Sequence, residues 1–312
     1  MQGTKVPATK TDKFVLVRNI NMKKETLQKR VQIANDIMYY IYTHIDTNID
    51  MDELSSDLKV SKFHMHRVFK DIFGKNIYES IKSIRLQKAS NLLLTNKYST
   101  ITDVANICGY SSQTSFLRVF KERFSMTPKE WKNGGYKEYS QHIIEQSPKA
   151  KKSTAKFDNL EPTIVKMPLI ESYYIRHSGY NAQIKQTWQK LQTWIFSNNI
   201  TEYKQIALFH DNPTVTPLNE CQYVACIVVE KGTKVKSDRL PKFNISDGIY
   251  AKFDLVGEQG DMLKFIQWVY HEWLPKSEYE TTTKPPYVIY RKNNYLSEDS
   301  RFDISFYLSI KF

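Results

Sequence analysis

The sequence predicts two folds in series: an all-α tandem helix-turn-helix domain, then an α+β domain of duplicated β-α-β-β halves. Three observations predict this. Arg118-Val119-Phe120-Lys121-Glu122-Arg123-Phe124 repeats Arg67-Val68-Phe69-Lys70-Asp71-Ile72-Phe73 at an offset of 51 residues, as a duplicated supersecondary unit would. The basic excess sits in the half with that repeat: residues 1–156 carry 27 Lys and Arg against 15 Asp and Glu, residues 157–312 carry 18 against 18. The aromatics gather in the other half, with 25 of 41 in residues 157–312. A basic helical half is the electrostatic footprint of a polyanion binder. An aromatic, charge-balanced half suits a packed core around a ligand.

Residues 1–22 read as a flexible polar arm with one apolar patch, Phe14–Val17. From Leu27, the positions Val31, Ala34, Met38, Ile41 and Ile45 keep the rhythm of an amphipathic helix that ends before Asn48. Each repeat copy then reads as a short helix (52–58, 102–107), a turn, and a longer helix opened by a serine cap, Ser61 or Ser111/Ser112. Gly109 marks the second turn. A long helix between the copies, carrying Tyr78, Ile81, Leu86, Ala89 and Leu93, sets the spacing of two reading heads. In the longer helices Val68, Phe69, Ile72 and Phe73, and again Val119, Phe120 and Phe124, form a buried stripe. The remaining side chains near each helix start are candidates for DNA contact: Ser61, Lys62, Phe63, His64, His66 and Arg67, then Ser112, Gln113, Thr114, Ser115 and Arg118. Most are of the kinds that bond base edges or phosphates, and they lie at the end that a helix-turn-helix points into the major groove.

At Gly109, Tyr110, Ser112, Phe116, Arg118, Phe120, Lys121, Thr127, Pro128, Trp131 and Lys132 the sequence resembles the AraC/XylS family of bacterial transcription regulators. The resemblance covers about residues 26–136 and implies double-stranded promoter DNA and RNA polymerase as partners, with the two heads on neighbouring major-groove faces. Ser125 stands where the family often carries Gly or Asn. The tandem domain is expected over 23–136. Asn133-Gly134-Gly135 should stop its last helix, and residues 137–157, small, polar and basic, read as a linker.

Over 158–312, strands are expected at 164–176, 206–209, 223–229, 249–256, 287–290 and 302–310, and helices at 183–196 and 261–273. The order β-α-β-β twice suggests an internal two-fold, with helices on one side of a mostly antiparallel sheet. A concave seam between such halves, lined by aromatics, is a common ligand site. Tyr173, Tyr180, Trp194, Phe209, Trp273, Tyr287, Val288 and Tyr290 are its candidate lining. The segments Tyr174-Ile175-Arg176, Gly179-Tyr180, His210-Asp211-Asn212-Pro213, Cys221-Gln222-Tyr223, Gly248-Ile249-Tyr250-Ala251 and Trp273-Leu274-Pro275 resemble the GyrI-like small-molecule-binding domain, in the Rob-type arrangement. Many relatives place a cation-pairing glutamate where this chain has Val288. A buried cation needs such a counter-charge, so a neutral aromatic or hydrophobic effector is expected.

Cys108, Cys221 and Cys226 make no C-x-x-C pair and suit a reducing compartment. No metal site and no cofactor are expected, no apolar run reaches membrane-spanning length, and a bacterial cytoplasmic location follows. The function expected is a DNA-binding transcription regulator, read as an activator, modulated by a small-molecule effector and acting as a monomer on an asymmetric site. The alternatives are a hydrolase or a protein-interaction module on the GyrI-like scaffold. An enzyme is not expected.

Overall fold

The computed structural model describes residues 24–47, 49–96, 98–235, 240–282 and 284–312. The expected arm and its Phe14–Val17 patch lie outside them. The described chain divides into two compact units: 24–40 with 50–77, and 41–49 with 78–312. Two helices run from one into the other, α1 (Lys24–Thr43) and α4 (Ile77–Thr95).

In the smaller unit, α2 (Met51–Asp57) is opened by Asp50, whose carboxylate accepts the Asp52 and Glu53 amides. Then α3 (Lys62–Phe73) is opened by Ser61, whose hydroxyl accepts the His64 amide. Met65, Val68 and Phe69 are buried, and Arg30 of α1 pairs with Asp71 of α3. In the larger unit α5 (Ile101–Ile107) and α6 (Gln113–Phe124) repeat the pattern, with caps at Thr100 and Ser112. The cap of α6 is thus Ser112 and not Ser111. Leu86, Ala89, Leu92 and Leu93 of α4 share one cluster with Val104, Phe116, Val119, Phe120, Phe124 and Trp131. The Trp131 Nε1 donates to the Ser90 carbonyl at 2.9 Å.

The repeat reaches down to the backbone. Each copy has a left-handed residue in its turn, Lys59 (φ 52°) and Gly109 (φ 74°), and another closing the longer helix, Gly74 (φ 71°) and Ser125 (φ 57°). Each copy has glycine at only one of the two. Gly109 has a second reason: a Cβ there would lie 2.7 Å from the Arg85 guanidinium, which donates to the Gly109 carbonyl.

Beyond α6 the structure corrects the sequence reading. The chain passes through a short helix α7 (Pro128–Glu130) and a wider π-type turn (Trp131–Gly135), where Gly134 takes φ 116°. It then continues as α8 (Tyr136–Glu145). The backbone of Gly134 is non-helical, so the glycine pair does stop the helix as expected, and what the sequence reading missed is that a second helix starts at once across the kink. The stretch expected as a linker carries α8 and α9 (Pro148–Lys152), with Ser140, Ile143, Ile144 and Ala150 buried. Ala150 sits where α9 lies so close to Gly260 that a Cβ there would be 2.2 Å from the Lys149 carbonyl oxygen. A small, lysine-rich helix seated by backbone contact has no hydrophobic period to betray it.

The rest is one antiparallel sheet with the order β1-β6-β9-β8-β3-β4-β2-β5. Its strands are β1 (Thr163–Met167), β2 (Ile170–Ser178), β3 (Tyr203–Phe209), β4 (Gln222–Val229), β5 (Lys242–Ile245), β6 (Gly248–Glu258), β8 (Tyr287–Lys292) and β9 (Arg301–Lys311). A two-residue strand β7 (Glu280–Thr281) pairs with β9. The two halves, β2-α10-β3-β4 and β6-α11-β8-β9, meet at the β3–β8 pair, where Ala207 faces Val288. Their helices are α10 (Ile184–Ser197) and α11 (Gln259–Trp268), the latter continuing through a π-type turn to Trp273 and a final turn α12 (Leu274–Lys276). The single strand expected over 164–176 is two strands on opposite sides of the sheet, because Pro168 cannot donate to a ladder. One face packs Trp188, Leu191, Phe253, Phe265 and Phe306 into the main core. The other gathers Tyr174, Tyr250, Tyr287 and Tyr307 into a second cluster.

A left-handed residue with a Cβ costs roughly 1–2 kcal/mol relative to glycine. Ser125→Gly, whose side chain makes no capping bond there, is expected to raise stability by about 1 kcal/mol, and Gly74→Ser to lower it similarly. Urea unfolding followed by circular dichroism checks both; a destabilising Ser125→Gly would contradict the assignment.

Candidate DNA-reading helices and effector cavity

In both longer helices the residues nominated for DNA contact lie opposite the buried stripe. Ser61, Lys62, Phe63 and Arg67 are exposed, and His64 and His66 are half-buried. Ser112, Gln113, Thr114 and Arg118 are exposed, and Ser115 is half-buried. Ser61 and Ser112 are already engaged as caps, leaving the side chains after them to face outward. Phe63 is 77 % exposed. The Arg67 guanidinium lies over its ring at 5.8 Å and within 3.2 Å of His64 Nδ1. In α6, Arg118 pairs with Glu122 at 2.8 Å, and Glu122 also accepts from Lys82 at 3.0 Å. The Lys82 and Arg118 contacts hold the Glu122 carboxyl below its usual range.

On the sheet, a cavity of about 100 Å³ lies under α11, bounded by Tyr180, Phe209, Pro213, Leu218 and Tyr223 on one side. Gln259, Met262, Leu263, Ile266, Tyr290, Tyr295 and Phe302 close it on the other, with Ser147, Lys149 and Asn294 at its edge. None of these lining residues carries a carboxylate. The Trp188 Nε1 donates to Tyr223 Oη at 3.0 Å, and Tyr223 Oη lies 3.3 Å from Tyr290 Oη. Burial pushes the Tyr180, Tyr223 and Tyr290 phenols well above their ordinary range, and that of Tyr295 up to about 12. All four therefore stay protonated at neutral pH and can donate as well as accept.

Of the eight residues nominated for ligand contact, Tyr180, Phe209 and Tyr290 line this cavity. Tyr173 lies tilted against Trp194 at 4.7 Å, and Trp273 packs against Phe253 at 5.0 Å; all three candidate rings are placed elsewhere in the core. Val288 is fully buried in the main core at the central β3–β8 pair. Tyr287, its neighbour, points to the opposite face and stacks on Tyr307 at 4.7 Å. The correction follows from strand alternation: adjacent residues cannot share a face. Tyr223, Met262 and Tyr295 were not nominated. Tyr223 shared the face of Phe209 across the β3–β4 pair, a signal the pairing register alone could have supplied.

Residues 160–311 match the profile of the GyrI-like small molecule binding domain, and residues 54–134 match a helix-turn-helix domain. The chain is 34 % identical over 105 residues to a protein of Proteus vulgaris named "Probable transcription factor PqrA", covering 33 % of this chain and 85 % of that one. It is 34 % identical over 97 residues to the right origin-binding protein of Escherichia coli K12, covering 31 % of this chain and 33 % of that protein. It is 32 % identical over 96 residues to the xylose operon regulatory protein of the same strain, covering 31 % of this chain and 24 % of that one. The chain thus spans most of the first relative but a third or less of the other two. The C-terminal domain of EcmrR aligns over 49 % of this chain and 98 % of its own, at 14 % identity and a TM-score of 0.38.

The hydroxyl chain gives a stability test. Tyr223→Phe leaves the buried Trp188 N–H without its acceptor and is expected to cost about 1–3 kcal/mol. Tyr290→Phe keeps that acceptor and should cost less than about 1 kcal/mol. Equal costs by urea unfolding would mean that the Trp188–Tyr223 bond is not made.

Proposed function

This chain belongs to the AraC family of DNA-binding transcription regulators and carries a GyrI-like small-molecule-binding domain at residues 160–311; from that premise we propose that it reads one asymmetric DNA site as a single chain and answers to a small neutral aromatic ligand. The observation that carries the DNA reading is the paired exposure of α3 and α6 at their capped ends, each over an apolar stripe turned inward. Two reading helices in one chain replace the two protomers of a dimeric regulator, so the site need not be palindromic. We assign base and phosphate contacts to Lys62, Phe63, His64, His66 and Arg67 and to Gln113, Thr114, Ser115 and Arg118. Ser61 and Ser112 present the helix ends. Recruitment of RNA polymerase, and hence activation, is the regulatory sense we assign. The transcription-factor relatives favour a regulator over the hydrolase or interaction-module readings.

For the cavity, tyrosine hydroxyls and apolar walls suit a flat, uncharged ring with one hydrogen-bonding group. An ammonium buried there without a carboxylate costs several kcal/mol, while a cation–π contact returns about 0.5–2 kcal/mol. The volume is below the roughly 300–1,000 Å³ of pockets for drug-sized ligands, so a single-ring molecule fits best without movement.

Footprinting a duplex selected from a random library should show protection over about two helical turns, and affinity should fall steeply with salt. Gln113→Ala is expected to cost about 1–3 kcal/mol at one base position, as loss of a bidentate adenine contact would. Glu122→Gln, which frees Lys82 and Arg118, should tighten binding to all sequences. A footprint of one turn, or a palindromic site filled by two chains, would contradict the single-chain reading. Calorimetry should show phenol binding more tightly than phenyltrimethylammonium; the reverse order would contradict the ligand class.

A further inference from the structure

The loop between β3 and β4, residues 210–221, has one side on the cavity and the other on α4. Phe209 and Tyr223 at its ends, and Pro213 and Leu218 within it, line the cavity. Its other side is fastened to the helix that joins the two helix-turn-helix copies in sequence. Gln87 Nε2 donates to Asp211 Oδ1 at 2.5 Å, and the Asn212 amide donates to Gln87 Oε1 at 3.0 Å. Asn212 Nδ2 donates to Asn91 Oδ1 at 2.9 Å. Val215 is fully buried in the same cluster as Leu86, Ala89, Phe120 and Trp131. The second oxygen of Asp211 accepts the Gln222 amide at 2.5 Å, next to the cavity residue Tyr223. Tyr180, which lines the cavity beside the loop, donates its hydroxyl to the Asp211 carbonyl at 3.4 Å and its amide to the Leu218 carbonyl at 2.6 Å.

A buried polar network of this kind is stiff. Each group that loses its partner costs about 1–3 kcal/mol, and close-packed interiors shift between discrete arrangements and do not stretch. A ligand that displaces Pro213, Leu218 or Tyr223 therefore moves the loop together with α4, or breaks bonds that water cannot readily replace.

We propose that the 210–221 loop is the coupling element by which cavity occupancy sets DNA affinity, with Asp211 as the positioning residue that ties cavity wall to α4. The proposal rests on the reading of the cavity as a ligand site. By linkage, a ligand that changes DNA affinity by some factor has its own affinity changed by DNA by the same factor.

The test compares the native chain with Gln87→Ala/Asn91→Ala, which removes the tie with good helix formers, using the selected duplex. Each background is also prepared with Met262→Trp, which fills the cavity from α11 and needs no ligand. Filling is expected to shift the DNA Kd about fivefold or more in the native background, within the range of allosteric couplings, and to leave it unchanged once the tie is cut. Saturating phenol should do the same. Should Met262→Trp fail to fold by circular dichroism, phenol decides. Should phenol not bind, the ligand-class reading fails while the Met262→Trp pair still decides the coupling. Equal shifts in both backgrounds, or no shift in the native one on filling or on phenol saturation, would overturn the proposal.

Discussion

Helix α4 imposes the constraint on which the larger unit depends: it is buried on polar as well as apolar sides, so its buried polar groups are costly unless they find partners. Gln87, Lys88, Ser90 and Thr95 are each at most 9 % exposed. Gln87 is taken by Asp211 and Asn212, and Lys88 by Asp46 and the Ile107 carbonyl. The Ser90 carbonyl accepts Trp131. The apolar side supplies Leu86, Ala89, Leu92 and Leu93 to the core around α6. An unpaired buried polar group costs more than a made bond returns, so these partners fix where α5, α6 and the 210–221 loop must sit. One helix thus orients α6 on one side and a cavity wall on the other.

The two repeat copies show how one fold tolerates different local solutions. The same two backbone positions are left-handed in both, yet glycine occupies the helix-closing one in the first copy and the turn in the second. The surfaces differ in the same spirit: an aromatic and two histidines in α3, a glutamine, a threonine and a serine in α6. Unlike surfaces on like frames suit an asymmetric site.

Much of this was legible because it rests on periodicity and capping chemistry. Ser61 and the stripe through Phe69 and Phe120 follow from helical spacing, and the strand alternation predicted most of the sheet. What stayed hidden rests on contacts that leave no period. Helix α9 is seated by a backbone approach to Gly260, Lys59 takes a left-handed turn without being glycine, and Pro168 divides the strand-like run 164–176 into two strands. For the cavity, alternation says which residues share a face but not where that face leaves space. Sequence position alone therefore groups Tyr287 with Val288 although they point apart, and gives no sign that Tyr223, Met262 and Tyr295 line the cavity.

The central claim is that both copies engage one duplex within a single chain. Amide hydrogen exchange on the full chain, with and without the selected duplex, tests it most directly. The account predicts slowed exchange at 62–67 and at 113–118 together, at a stoichiometry of one chain per duplex. Protection confined to one of the two helices, or a requirement for two chains per duplex, would contradict it.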